Sequence, residues 1–306
     1  VSGRSVALIA NPTAGKGRAA EVLPEVQHRL RAGGLEPTLL TSEGSDHAAR
    51  LLEEAAHGDA DVLAVLGGDG MMHLAVNACA RARAVTGRAP ALGLIPAGTG
   101  NDLCRGLGMD PDDAFAATDT VVADRRRLID LARVGESATP HGSTWVSTIV
   151  ASGFDAHANA RANALPWPRG GLRYPLAVLV ELARFTPLHY RLTVDGTPRE
   201  LDAMLVAVGN TAAYGGGVRM CPDADATDGL LDVTIIHPVS RLTLLRLLPK
   251  TYDGSFVTAR CVERFRAREV RVDGDDLLGY GDGERIGDPP LLVTSVPRAV
   301  EVLVPS

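Results

Sequence analysis

No stretch of this sequence is apolar for long enough to cross a bilayer, since the longest hydrophobic runs fall well short of the roughly 18 residues a spanning helix needs. The run nearest the N-terminus, Val6 to Ala10, is too short for the core of a signal peptide and reads as a first strand. Cysteine is scarce: Cys79, Cys104, Cys221 and Cys261 are scattered and form no C-x-x-C pair. Reduced thiols and a cytoplasmic location are therefore expected. An excess of positive charge is missing too. With 31 Lys and Arg against 37 Asp and Glu, the net charge of -6 leaves no broad basic field for nucleic acid or anionic lipid, so any membrane contact has to be local. Internal repeats and low-complexity segments are also absent. What is plentiful is glycine, 33 residues of it, which points to tight turns and ligand-contacting loops. At 306 residues the chain exceeds the size at which one hydrophobic core usually stops growing, and two domains are expected.

The first 120 or so residues alternate short apolar runs with helical patterns. Candidate strands are Val6 to Ala10, Pro37 to Leu40, Val62 to Leu66 and Leu92 to Ile95; helical patterns lie near Arg18 to Arg31, Asp46 to Ala56 and Met72 to Ala84. This rhythm implies a parallel sheet covered by helices, the kind of sheet that binds ligands at the carboxyl ends of its strands. After about Val134 the rhythm changes. Runs such as Thr144 to Val150, Ala203 to Val208, Asp232 to Ile236 and Val270 to Val272 are strand-like, with Asp195-Gly196 and Asp273-Gly274 as candidate hairpin turns. The fold class read from this is α/β followed by a second, mostly antiparallel β domain, divided as residues 1–134 and 135–306.

Three strands run directly into Gly-rich loops: Asn11 to Gly17, Gly67 to Gly70 and Ala97 to Gly100. Gly67-Gly68-Asp69-Gly70 precedes a helix starting near Met71, so its glycines and the helix N-terminus would receive a phosphate well. A carboxylate among phosphate-binding amides is awkward unless it holds a metal or takes a proton, which singles out Asp69; the bland alternative is a turn with an Asp cap. Asn11 to Gly17 is not a P-loop, because Ala10 stands at the first glycine of G-x-x-x-x-G-K-S/T and Gly17 at its hydroxyl position. The third loop, Pro96 to Asp102, adds hydroxyl, amide and carboxylate groups before another helical stretch. All three would meet at one edge of the sheet, a convergence that three unrelated turns rarely make.

Asn11-Pro12 with Gly15-Lys16-Gly17, Gly67-Gly68-Asp69-Gly70, and Pro96 with Gly98-Thr99-Gly100-Asn101-Asp102 resemble the successive nucleotide-binding signatures of the diacylglycerol kinase catalytic family. Val208-Gly209-Asn210, Gly215-Gly216-Gly217, Pro222, Ala224 and Asp228-Gly229-Leu230-Leu231-Asp232 are similar to its second-domain signature, and Asp282-Gly283-Glu284 to its late acidic motif. The resemblance spans nearly the whole chain. It implies an ATP-binding first domain, a lipid-binding β-sandwich, and final strands expected to return to the first domain. The implied activity is an ATP- and Mg2+-dependent lipid kinase, with diacylglycerol giving phosphatidic acid as the leading reaction and sphingoid bases, ceramide or phosphatidylglycerol as alternative acceptors. One departure stands out: bacterial members commonly carry Thr after Gly-Gly-Asp-Gly, whereas this chain has Met71-Met72-His73, closer to the sphingosine kinases. The hydroxyl is then lost or supplied elsewhere, with Thr99 as the candidate. His73, one helical turn past the loop, reads as a packing residue.

By the same resemblance, nucleotide is held by Asn11, Pro12, Gly15, Lys16, Gly67, Gly68, Gly70, Gly98, Thr99 and Asn101. Asp69 lies beside the γ-phosphate and the Mg2+ network while Glu284 crosses from the second domain; either accepts the proton, and Asp69 is preferred because the sphingosine kinases point to the matching Asp. Asp225, Asp228 and the Leu230 carbonyl match a structural Mg2+ site of bacterial members, a solvated acidic turn being the alternative. Asp102 and Asp130 are expected to extend the network behind Asp69. The segment Trp167 to Phe185 is either buried on the sandwich or touches lipid. Partner expectations are a lipid substrate at a membrane surface, no nucleic acid, and a homodimer left open; the location is cytoplasmic with peripheral membrane association. Two rivals remain. An NAD kinase would be expected to carry an Asn-Glu pair after the second loop, and no such pair occurs in the chain. A non-catalytic lipid-binding homologue is opposed by the presence of both Asp69 and Glu284.

Overall fold

The computed structural model describes residues 4–135, 142–164, 177–178, 180–181 and 184–305, the side chains of 159 and 162–164 excepted. Strand and helix alternate at first as β1 (Arg4–Ala10), α1 (Arg18–Ala32), β2 (Leu35–Thr41), α2 (Ser45–Ala56), β3 (Val62–Gly67), α3 (Asp69–Thr86) and β4 (Ala91–Pro96). β3 and β4 are buried at every position, which is why they read as unbroken apolar runs and not as alternating ones. Neighbours in the order β2-β1-β3-β4 are all parallel. Their carboxyl ends, and the loops that follow them, therefore share one edge. α4 (Asp102–Gly106) and α5 (Ala114–Ala123) come next; α5 starts on Asp113, whose carboxylate accepts the N–H groups of Phe115 and Ala116 at 2.9 Å.

The rest of the described chain is mainly antiparallel: β5 (Arg126–Val134), β6 (Thr144–Val146), β7 (Ile149–Gly153), α6 (Phe154–Ala164), β8 (Leu188–Val194), β9 (Thr197–Ala203), β10 (Leu205–Gly209), β11 (Leu231–Ile236), α7 (Arg241–Leu247), β12 (Val262–Ala267), β13 (Glu269–Asp273), β14 (Gly279–Gly281), β15 (Glu284–Gly287) and β16 (Leu291–Leu303). A second sheet, β12-β11-β10-β7-β14-β15, is antiparallel throughout and packs on the extension β16-β13-β8-β9 of the first sheet. Val206, Val208 and Val233 from one layer meet Tyr190, Val270 and Val293 from the other, the inner faces of a sandwich. β16 joins the two halves of the molecule. Its first half pairs with β13, its second half places Val302 beside Leu92 of β4, and β5 follows it along both halves with a register shift between Val296 and Val300.

Three sequence readings change in the folded chain. Thr144 to Val150 is two strands in different sheets, interrupted at Ser147 and Thr148, whose N–H groups turn to Asp282 instead of a ladder partner. The run from Ala203 to Val208 likewise changes sheets, with Met204 between β9 and β10. Asp273-Gly274 is not a hairpin: β13 pairs with β8 and β16, and the chain then leaves that sheet for β14 in the other. Asp195-Gly196 does close the β8–β9 hairpin, with φ of 46° and 81° as a two-residue turn with both centres left-handed requires.

α3 is tied to the sandwich side by Asn77, which is 4% exposed. Its side-chain oxygen accepts the Trp145 N–H at 2.9 Å and its amide donates to the carbonyls of Trp145 and His73 at 2.8 and 2.9 Å. Asn77→Ala leaves the Trp145 peptide groups buried and unpaired, so a loss of about 2–4 kcal/mol is expected. Urea unfolding measures it, and a loss under about 1 kcal/mol would show that water replaces the amide.

Candidate active site

The loop after β1 makes a tight local structure before it can meet any ligand. Asn11 accepts the N–H and hydroxyl of Thr13 at 3.0 and 2.7 Å, and Gly15, Lys16 and Gly17 are all left-handed, with φ of 60°, 61° and 97°. Gly15 has no room for a side chain, because a Cβ there would stand 1.9 Å from the Ala97 carbonyl oxygen of the third loop. Gly98 is pressed in the same way against the second loop, where a Cβ would fall 2.5 Å from the Gly68 Cα. These contacts bring the three loops together. They surround an opening of about 450 Å3 lined by Lys16, Gly68, Gly70, Met71 and Thr99 among others, and Thr99 carries the one hydroxyl side chain among the described lining residues.

α3 starts at Asp69, earlier than the sequence suggested. The Asp69 carboxylate reaches the third loop, accepting the N–H of Asn101 at 2.9 Å and of Asp102 at 2.7 Å at the start of α4. Asn101 itself is 1% exposed and left-handed, and its side chain is consumed by Gly98 and the Pro111 carbonyl. It builds the loop from inside. Asp102 in turn accepts the N–H groups of Gly216 and Gly217 at 2.9–3.1 Å, so it links α4 to the Gly215–Gly217 turn of the second half. Burial, then the neighbouring Asp69 charge, raise the Asp102 carboxyl above its usual range, although the bonds from Gly216 and Gly217 oppose this.

A second cleft of about 440 Å3 lies between the two halves, with Asp69 and Thr99 on its floor and His73, Thr148, Tyr214 and Gly216 among its walls. Its far wall is set by Asp282, in the left-handed turn between β14 and β15. Asp282 accepts from the N–H and hydroxyl groups of Ser147 and Thr148 at 2.6–3.2 Å and pairs with Nδ1 of His73 at 2.9 Å. Burial alone would raise its carboxyl; the bonds from His73, Thr148 and Ser147 outweigh that and hold it below the ordinary Asp range. His73 is thus a polar partner and not a packing residue. The same turn carries Glu284, which is exposed and places Oε1 3.6 Å from where a Cβ would sit on Gly70. Sequence reading marked Asp282 within the late acidic motif and Asp102 beside Asp69, but it missed the pairing of Asp282 with His73, the bonds from Asp102 to Gly216 and Gly217, and Tyr214.

The remaining predicted positions lie apart. Asp130 does not stand behind Asp69: its oxygens accept the N–H groups of Gly229 and Arg298, both at 2.7 Å, fastening β5 to the 225–230 loop and to the β16 bend. In that loop Asp225 accepts from the N–H and hydroxyl of Thr227, and Asp228 accepts the Leu230 N–H while its other oxygen lies 3.3 Å from Arg266. Among the described residues no three His, Cys, Asp or Glu side chains converge as metal ligands. Asp225 and Asp228 are thus each engaged within the loop, and Asp228 also by the Arg266 guanidinium. Trp167, Leu172 and Tyr174 fall outside the described residues; at the end of that segment Ala177 and Phe185 are buried, and Phe185 packs edge-on against Phe154 at 5.4 Å.

A third cavity, of about 510 Å3, opens beyond the cleft and shares Tyr214 with it. Phe154, Leu205, Met220, Leu244 and Leu247 make it strongly apolar.

Residues 5–134 match the diacylglycerol kinase catalytic domain, and residues 148–304 match the YegS C-terminal NAD kinase beta sandwich-like domain. The chain is 38% identical to a diacylglycerol kinase of Mycobacterium tuberculosis, over 98% of this chain and 95% of that one. It is 26% identical to a diacylglycerol kinase of Bacillus subtilis, over 97% and 95%. Two solved chains from Bacillus anthracis cover all of it, at 21% and 19% identity, with TM-scores of 0.81 and 0.74 and 96% and 98% of their own lengths; the second is described as a diacylglycerol kinase. At that identity the likeness concerns the fold.

Because the Asp282 carboxyl is depressed in the folded state, its share of stability is complete above the unfolded value near 3.9 and is lost as pH falls through that value toward the folded one. Asp282→Asn is expected to cost about 3 kcal/mol at neutral pH, as for a buried hydrogen-bonded charge. Its stability should also fall less steeply than wild type between about pH 5 and pH 3. Equal slopes in urea titrations across that range would mean that another group carries the acid sensitivity.

Proposed function

The chain belongs to the diacylglycerol kinase catalytic family, phosphotransferases that act on lipids, and from that premise we propose that it transfers the γ-phosphoryl group of ATP to the free hydroxyl of diacylglycerol, giving phosphatidic acid and ADP. ATP use follows from the family. The choice of diacylglycerol leans on the names of the relatives, and the observation that carries the reading is that Asp69 and Thr99 line both the loop opening and the cleft between the two halves. A phosphate in the opening and a hydroxyl in the cleft would meet at these two residues. The apolar cavity beyond Tyr214 supports a lipid as the owner of that hydroxyl, since acyl chains need such a lining.

In this reading the loop amides, Lys16 and the α3 N-terminus hold the phosphates. The acceptor oxygen attacks the γ-phosphorus, the bond from that phosphorus to the ADP oxygen breaks, and the acceptor proton passes to a carboxylate. Asp69 and Glu284 divide the remaining work. Both oxygens of Asp69 already accept backbone N–H bonds, which suits it to aligning the loops and the hydroxyl. The Glu284 side chain has no hydrogen bond or ion pair among the described residues and is the carboxylate with lone pairs to spare. The Mg2+ that accompanies phosphoryl transfer belongs to the same proposal; Asp69 and Glu284 are the residues that would face it, and it would supply charge neutralisation on the phosphates.

Radiolabelled ATP with a panel of lipids in mixed micelles tests the reading. Diacylglycerol is expected to be labelled fastest; label entering sphingosine, ceramide or phosphatidylglycerol instead would replace the acceptor, and no labelled lipid at all would overturn the proposal. Asp69→Asn and Glu284→Gln should each lower turnover by about 10^2 or more. Only Asp69→Asn should also lower Tm, because an amide offers one acceptor where the Asn101 and Asp102 N–H groups need two. Wild-type turnover in either variant removes that carboxylate from the mechanism.

A further inference from the structure

Four large hydrophobic side chains are exposed among the described residues, and three of them belong to one short element: Leu242, Leu245 and Tyr252, at 55%, 43% and 61%. Exposed leucines scattered singly need no explanation, but three within eleven residues do. The element is α7 with the 3-10 turn that follows it, Leu248–Thr251. Ser240 caps α7 by accepting the Thr243 N–H, and the Thr251 carbonyl accepts the Arg219 N–H at 2.8 Å, which ties the far end of the element to the 210–220 loop. Its inward residues, Leu244 and Leu247, are buried on the apolar cavity.

The charges on this element differ from those of the chain as a whole. Arg241, Arg246 and Lys250 are exposed, and none has an ion-pair partner among the described residues. No acidic residue occurs from Val233 through Tyr252, in a protein of net charge -6. Asp253 follows and is engaged by the Ser255 N–H at 2.8 Å. Leucine and tyrosine interleaved with arginine and lysine suit the boundary between headgroups and acyl chains, where apolar side chains enter and cations stay with anionic headgroups.

We propose that residues 241–252 are the surface with which this protein docks on an anionic bilayer, and that the lipid enters the apolar cavity there. The second clause rests on the lipid-kinase reading; the first does not. Tyr252 lines the cavity and is mostly exposed, so the cavity reaches the surface at the docking element itself. From that mouth the apolar lining runs to Tyr214, which also walls the cleft that holds Asp69. A lipid could therefore present its headgroup to the cleft while its chains remain in the cavity and the bilayer. The cationic contribution is small, three residues, so attachment combines modest charge attraction with a few buried side chains and is reversible.

The test measures binding of the full chain to vesicles by sedimentation, without ATP. Vesicles containing phosphatidylglycerol should bind more protein than pure phosphatidylcholine vesicles. The double substitution Leu242→Asn, Leu245→Asn should lower the partition coefficient at least about tenfold, as two exposed leucines that no longer enter the bilayer would. Arg241→Gln with Arg246→Gln should remove most of the preference for anionic lipid. Neither pair lines the cleft or the cavity, so phosphorylation of a short-chain diacylglycerol in solution should be unchanged. Val85→Asn, at the fourth exposed site, serves as the control and should bind as wild type does. Equal partition of wild type and the leucine variant overturns the proposal. So does a concentration-dependent sedimentation coefficient in the absence of vesicles that the leucine variant abolishes, since the face would then be an interface between two copies of this chain. Vesicle binding as expected with no lipid phosphorylated would leave the docking surface standing and remove the kinase reading.

Discussion

Carboxylates taken out of water set the geometry on which the rest of this molecule depends. A buried charge is tolerated only where donors converge on it, and here those donors are mostly backbone N–H groups of segments far apart in sequence. Asp282 gathers Ser147, Thr148 and His73; Asp102 gathers Gly216 and Gly217; Asp130 gathers Gly229 and Arg298. Each link joins the parallel-sheet half to the sandwich half or fixes the bend between them. The width of the cleft is therefore held by hydrogen bonds with directional demands, whereas the sandwich core behind it is held by side chains with few.

That arrangement explains how one set of residues serves more than one compartment. Asp69 stands at the start of α3, so its position is fixed by the helix, and its oxygens are fixed by the third loop. The loop opening and the cleft share it as a result. Asp282 and Glu284 stand at either side of Gly283 in one tight turn, and holding the first inward leaves the second exposed beside Gly70. The sandwich thus delivers an exposed carboxylate to the glycine-rich loops without burying it. At the other end Tyr214 separates polar cleft from apolar cavity, a boundary suited to a substrate that is polar at one end only.

Much of the parallel half was legible from residue order. Unbroken apolar runs, helical spacing between them and glycines just past each strand left few other arrangements, and the three loops do meet at one edge. Asn101 shows the limit of that reading: the motif marked it as a ligand residue, and its side chain is spent inside the loop. Asp130 shows another. The family resemblance placed it in the network behind Asp69, yet the β5–β16 ladder carries it to a different face.

Periodicity, turn chemistry and motif spacing are local properties, and they determined the strands of the first half, the Asp195-Gly196 turn and the family to which the chain belongs. The pairing of His73 with Asp282, the splitting of Thr144 to Val150 between two sheets, and the union of Leu242, Leu245 and Tyr252 over an apolar cavity depend on contacts between residues tens to hundreds of positions apart. Nothing in a residue's neighbours along the chain records which distant N–H will face it. Those partners are chosen when the two halves pack and every buried polar group must find a donor or an acceptor at once.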